Sequence, residues 1–228
     1  MRRMWLISCG FAALSACGIA RADTIANSVS DFSGVQGQGG WYYGYETTLG
    51  GSIDTSPTDF AYNGSAWART PTSAPPWTYI GPVFMHPNGT NSAPYEVEYA
   101  TRRFDYTGPT EANVQITGHF SKFNDPSATV GDGVDGYILL NGVTIDTFYS
   151  NSVTNQFTTP LNIPALQSGD VLDFVVGPGP HGNDGADHTD YEVNIATSAP
   201  LPSTALGGFA LLGGLIGWRL RRRAQARP

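Results

Sequence analysis

The chain has 228 residues, the length of one ordinary domain of roughly 150 residues with processing segments at its ends. All 19 acidic residues lie between Asp23 and Glu192, against four basic ones there (Arg69, Arg102, Arg103 and Lys122); that body carries −15, which excludes phosphate backbones and hence nucleic acid as partners. Both cysteines, Cys9 and Cys17, precede the body, so it has no disulfide, thiolate zinc site or cysteine nucleophile, and 28 Gly and 16 Pro with 14% charged residues mark it as turn-rich and all-β.

Met1-Arg2-Arg3 is a short basic region, Met4 to Ala20 is mostly apolar and small, and Ala20-Arg21-Ala22 is an A-x-A cleavage pattern. This reads as a signal peptide over residues 1–22, so the protein is exported. In the alternative reading Leu14-Ser15-Ala16-Cys17 is a lipobox and Cys17 becomes a lipidated N-terminus.

The body, residues 23–198, is expected to fold as an antiparallel two-sheet sandwich of the jelly-roll kind. From Tyr95 to Tyr106, Val97 and Tyr99 share one face, with Glu96, Glu98 and Arg102 on the other. From Asn113 to Phe123, Val114, Ile116, Gly118 and Phe120 oppose Gln115, Thr117 and His119, and the short loop between the two runs predicts that they pair as a hairpin. Asn141-Gly142, between Tyr137–Leu140 and Val143–Ile145, is the dipeptide of a type I′ turn. Val171 to Val176 and Thr189 to Ala196 complete the strands, the latter with Tyr191, Val193 and Ile195 inward. No window shows sustained helical periodicity.

After Ser198, the segment Ala199-Pro200-Leu201-Pro202 precedes an apolar, glycine-rich run from Ala205 to Leu220 and the cluster Arg221-Arg222-Arg223. A helix over 205–220 rises about 24 Å, short of the ~30 Å hydrocarbon core, so it makes a weak or temporary transmembrane anchor in the inner membrane. The arginines keep residues 224–228 in the cytoplasm and the body outside.

A proline motif, a short apolar helix and a terminal arginine cluster, in that order, resemble the PEP-CTERM sorting signal over residues 199–223. Pro200-Leu201-Pro202 stands where the common form has Pro-Glu-Pro. The resemblance implies processing near Pro200 to Pro202 by an exosortase-type membrane protease, an envelope rich in exopolysaccharide, and a mature form at the cell surface or secreted. A plain tail anchor is the alternative. The body also resembles a jelly-roll module of exported bacterial proteins, through Asp31 to Gly34, Gln36 to Tyr45, Arg102 to Phe104, Gly131 to Val134, Asn141-Gly142, Gly169 to Phe174 and Asn183 to Thr189. That resemblance implies a fold like that of carbohydrate-binding proteins and supplies no catalytic residues. It leaves residues 46–94 unmatched.

Three constellations carry candidate chemistry. Trp67 and Trp77, in a proline-rich stretch, and Trp41 and Tyr43, within a Trp-Tyr-Tyr run, have the flat faces that stack on sugar rings. Glu96 and Glu98, two apart on one strand face, have the spacing of a glycosidase acid pair, but such pairs are more commonly solvated. Asp184, Asp187 and Asp190 form the densest oxygen-ligand cluster and are the candidate calcium ligands, although the spacing of a calcium loop is absent and Asx turns account for it as well. No cofactor is required by these readings. They favour a non-catalytic surface or matrix protein that binds polysaccharide over a glycan-active hydrolase.

Overall fold

The computed structural model describes residues 22–70, 73–92, 96–123 and 131–198. Apart from Ala22, the expected signal peptide lies outside them, as do the sorting segment over 199–223, its helix over 205–220 and the tail at 224–228. Among the described residues no helix is long and apolar enough to cross a membrane.

Residues Asp23–Ser198 form one compact unit, all of it β-strand, turn and short 3-10 segments among the described residues. Its first strands are β1 (Thr24–Asn27), β2 (Trp41–Glu46), β3 (Phe60–Tyr62) and β4 (Trp67–Arg69). Then come β5 (Tyr79–Ile80), β6 (Phe84–His86), β7 (Tyr99–Asp105), β8 (Glu111–Lys122) and β9 (Val134–Leu140). The last are β10 (Val143–Ser150), β11 (Leu161–Leu166), β12 (Val171–Gly177) and β13 (Thr189–Thr197). One sheet has the order β11-β8-β13-β6-β5-β4-β3, with β1 also on β13; the other runs β10-β9-β12-β7-β2. Every pairing is antiparallel, as the composition predicts.

The two sheets bury their facing side chains against each other because alternate residues of a strand point to opposite faces. Tyr191, Val193 and Ile195 of β13 point inward, as their spacing predicts. The middle of the core is aromatic: Trp41 packs on Phe104 at 5.1 Å, and Tyr191 meets Phe120 edge-on at 5.1 Å. Asn141 and Gly142 have φ of 52° and 77°, the left-handed pair that a type I′ turn requires, and β9 and β10 form the expected hairpin around them.

Two expectations are corrected. β7 and β8 do not pair: β7 lies between β2 and β12 in one sheet, and β8 lies between β11 and β13 in the other. The chain between them crosses from sheet to sheet, which sequence spacing does not distinguish from a hairpin. The faces of β7 are also reversed. Glu98, Ala100, Arg102 and Phe104 are the buried series, and Arg102, 1% exposed, lies between the sheets. Its guanidinium donates to the carbonyls of Tyr191 at 2.9 Å, Gly81 and Phe84, so three backbone acceptors stand in for a carboxylate.

The outer face of the five-stranded sheet is largely covered. Thr101, Leu139, Asp173, Val175 and Glu46 point away from the core yet are buried. The loop after β2 folds back onto two of them, Glu46 through the Gly50 N–H and Leu139 beside Gly50. Tyr45 and Asp54 exchange both backbone hydrogen bonds, at 3.2 and 2.8 Å. Gly44 lies directly beneath the Asp54 carbonyl, where a Cβ has no room.

Candidate functional site

Three of the four expected platform residues are core. Trp41 and Tyr43 are fully buried. Trp67 lies on β4, stacks on Tyr43 with centroids 5.8 Å apart, and donates its indole N–H to the Ser33 carbonyl at 2.8 Å. Rings packed inside the sandwich have no face to offer a sugar, so the platform reading is withdrawn for these three. Trp77 differs: it precedes β5 and is 41% exposed.

An aromatic surface does exist, on the outer face of the eight-stranded sheet. Inward Ile80 and Met85 force their neighbours Tyr79, Phe84 and His86 outward. Tyr79 stands opposite His86 in the β5–β6 register and stacks on it at 5.0 Å. The Tyr79 hydroxyl lies 2.8 Å from Nδ1 of His188, whose ring packs on Phe84 at 4.9 Å. Phe123 prolongs β8 by donating its N–H to the His188 carbonyl at 2.8 Å, and its ring stacks on His188 at 4.5 Å. At the outer end of this row Phe123 is 39% exposed. Burial pushes the Tyr79 phenol up and the His86 imidazole down to about 4, so both rings are neutral near pH 7.

The same face continues with polar groups. Asp190 and Glu192 of β13 alternate with inward Thr189, Tyr191 and Val193, opposite Ser121 and His119 of β8. His119 Nε2 lies 2.8 Å from Ser121 Oγ. Further along, Asn27, Thr117, His119, Glu192 and Asn194 line a groove of 230 Å³. An aromatic row leading into carboxylates, amides and hydroxyls combines stacking with hydrogen bonding on one open sheet.

The expected calcium ligands separate. Asp190 is on this outer face, beside His119 and Glu192. Asp184 and Asp187 are buried and lie instead near Asp132 of the Gly131–Gly133 loop. The Asp184 carboxylate accepts the Gly89 N–H at 3.0 Å, and Asp132 accepts that of His181 at 2.6 Å. Asp187, 0% exposed, has its Oδ1 3.7 Å from the buried Lys122 ammonium. Burial, reinforced by Asp132 and Asp184, pushes the Asp187 carboxyl up to about 8, against the opposing pull of Lys122. Asp190 therefore stands apart from Asp184 and Asp187, and among the described residues no three His, Cys, Asp or Glu side chains are grouped to hold a metal ion. The cation facing Asp187 is the Lys122 ammonium.

Glu96 and Glu98 also part. Glu96 is exposed. Glu98 is buried, accepts the Thr78 hydroxyl at 2.6 Å and pairs with Arg69 at 3.2 Å. Arg69 also donates to the Tyr45 hydroxyl at 2.8 Å and lies 4.5 Å from the centre of the Tyr45 ring, while that hydroxyl is 3.2 Å from Asp54 Oδ2. Beside this network the loop after β2 lines an open surface hollow of 490 Å³. Sequence spacing missed it because Tyr45 and Asp54 meet through a loop whose ends carry no strand signal.

No known protein family and no curated protein matches the chain. Among solved structures, it is similar to the CBM36-1 domain of a multidomain xylanase from the hindgut metagenome of Trinervitermes trinervoides. The identity is 13% and the TM-score 0.27, over 51% of this chain and 88% of that one. It is also similar to a carbohydrate-binding module CBM36 in complex with calcium and xylotriose, at 17% identity and a TM-score of 0.22, over 49% of this chain and 86% of that one.

Proposed function

We propose that the protein is a non-catalytic, exported surface or matrix protein whose jelly-roll-like sandwich binds polysaccharide on the outer face of its eight-stranded sheet. The observation that carries this reading is the row Tyr79, His86, Phe84, His188 and Phe123, which runs into Asp190, His119 and Glu192 on the same face. Outward positions of a sheet are ordinarily polar, and an aromatic row with hydrogen-bonding groups beside it suits the alternating apolar faces and hydroxyl edges of a glycan. The body's −15 favours neutral chains over acidic ones. Export, a temporary inner-membrane anchor and release or surface attachment by an exosortase-type protease complete the proposal. That part rests on Ala20-Arg21-Ala22, on Pro200-Leu201-Pro202 and on Arg221, Arg222 and Arg223.

Incubating the purified protein with insoluble polysaccharides, while measuring both depletion from solution and release of reducing ends, tests the reading. Saturable depletion without release is expected. Release of reducing ends favours the hydrolase alternative and contradicts a non-catalytic role.

A further inference from the structure

The hollow beside the Glu98–Arg69–Tyr45 network lies at the edge of the other sheet, apart from the aromatic face, and belongs to the stretch 46–94 that sequence left without a role. Tyr45, Thr47, Ser52, Ile53, Asp54 and Ser56 line most of it. It is an open surface hollow of 490 Å³, shaped to take the end of a ligand and not to enclose a whole one. We infer that it is a second binding site of the body, one that takes the end of a neutral glycan by hydrogen bonding. The inference rests on the polysaccharide-binding reading and adds the place and ligand class.

Three features of the hollow argue for it. The first is its chemistry. Thr47, Ser52 and Ser56 line the hollow together with Asp54, the Ser56 hydroxyl lying 2.8 Å from that of Thr58. Asp54 Oδ1 takes the Ser56 N–H at 2.8 Å and Oδ2 faces the Tyr45 hydroxyl at 3.2 Å, one partner for each oxygen. A lining of one carboxylate and several hydroxyl-bearing residues suits a ligand that presents several O–H donors and acceptors together, as a sugar ring does. The Tyr45 ring is largely buried, with Arg69 4.5 Å from its centre, so recognition here is through hydrogen bonds and not through stacking.

The second is preorganisation. The backbone pair between Tyr45 and Asp54, the contact of Gly44 with the Asp54 carbonyl and the Gly50 N–H bond to Glu46 at 2.8 Å fix both limbs of the loop. A rim already held in place loses little conformational freedom on binding. The third is charge. The carboxylates of Asp54 and Asp59 lie near that of Glu98, and the Arg69 guanidinium beside them already pairs with Glu98 at 3.2 Å. An anionic sugar entering the hollow meets repulsion, whereas a neutral one meets acceptors.

The test is an NMR titration of the 15N-labelled exported protein with the methyl glycosides of glucose, galactose and mannose, and with methyl glucuronide as the anionic comparator. Shifts are expected at the amides of residues 52–56 with at least one neutral glycoside and not with the glucuronide. Ser52→Phe, an exposed position whose substitution fills the hollow, is expected to weaken that response at least tenfold with an unchanged melting temperature. Silence of residues 52–56 with all three neutral glycosides, an equal response to the glucuronide, or full affinity in Ser52→Phe each overturns the inference. Shifts confined to Phe123, Asp190 and Glu192 reject this site and leave the aromatic face standing; silence at both surfaces removes the broader reading as well.

Discussion

Arg102 and Glu46 show how the sandwich treats charge it cannot expose. Arg102 is satisfied by carbonyls and holds the five-stranded sheet to the β5–β6 turn and β13 of the other; burial brings its guanidinium down to about 10, still charged at neutral pH. Glu46 faces outward from β2 under the loop that follows it. Burial, with Asp173 beside it, pushes its carboxyl up to about 7 against the opposing pull of the Gly50 N–H and Arg103. The folded protein therefore holds this proton more tightly than the unfolded chain does between pH 4.5 and about 7, and stability falls as pH rises through that window. At about 1.4 kcal/mol for each pH unit, the contribution is no more than about 3.5 kcal/mol. Glu46→Gln keeps an acceptor for Gly50 and removes the titration. Its melting temperature is predicted to fall less than that of the parent between pH 5 and pH 8, in matched thermal unfolding experiments. An identical fall in both proteins contradicts the assignment.

Individual side chains were read from sequence less well than their chemistry deserved. Tryptophan beside proline suggests a loop platform, yet Trp67 sits on a three-residue strand and turns its ring into the core. Asp190 groups with Asp187 by spacing, but Asp187 is buried in the loop before β13 whereas Asp190 lies on the strand's outer face, and the structure separates them. Asp132, 52 positions upstream of Asp184, joins that acidic end only through the fold.

At the scale of elements, the long strands were legible and their partners were not. β8, β13 and the β9–β10 hairpin follow from alternation and from Asn141-Gly142, and β12 from its apolar run, whereas β11 (Leu161–Leu166) was not expected. The face of β7 inverted because Glu98 and Arg102 are polar and buried, each with partners inside the protein, and alternation counts such residues as solvent-facing. β3 to β6 are two or three residues each, too short to show any period. They place Tyr79, Phe84 and His86, so half of the candidate face was invisible. The other half was visible in outline: His119, Thr117 and Gln115 were expected on the polar side of their strand, and they stand on the outer face, in register with Glu192, Asn194 and Ala196. The hollow needed a loop to return onto its own strand, which no periodicity records.

At the scale of the molecule, a body of −15 lies in sequence between cationic ends, the charge distribution on which the proposed anchoring rests. A chain ending at Ser198 is predicted to appear in the medium with an unchanged melting temperature, because Asp23–Ser198 is compact by itself. Fractionation of the producing cells checks this, and unchanged membrane association means that attachment comes from the N-terminus, as a lipidated Cys17 requires.

The central claim is that polysaccharide lies on the outer face of the eight-stranded sheet. Phe123 tests it most directly, since its ring is 39% exposed and stacks on His188 at the open end of the row. In affinity electrophoresis through gels containing a neutral polysaccharide that depletes the parent, Phe123→Ala is predicted to raise the dissociation constant at least tenfold, or about 1.4 kcal/mol. Equal retardation of Phe123→Ala and the parent contradicts it.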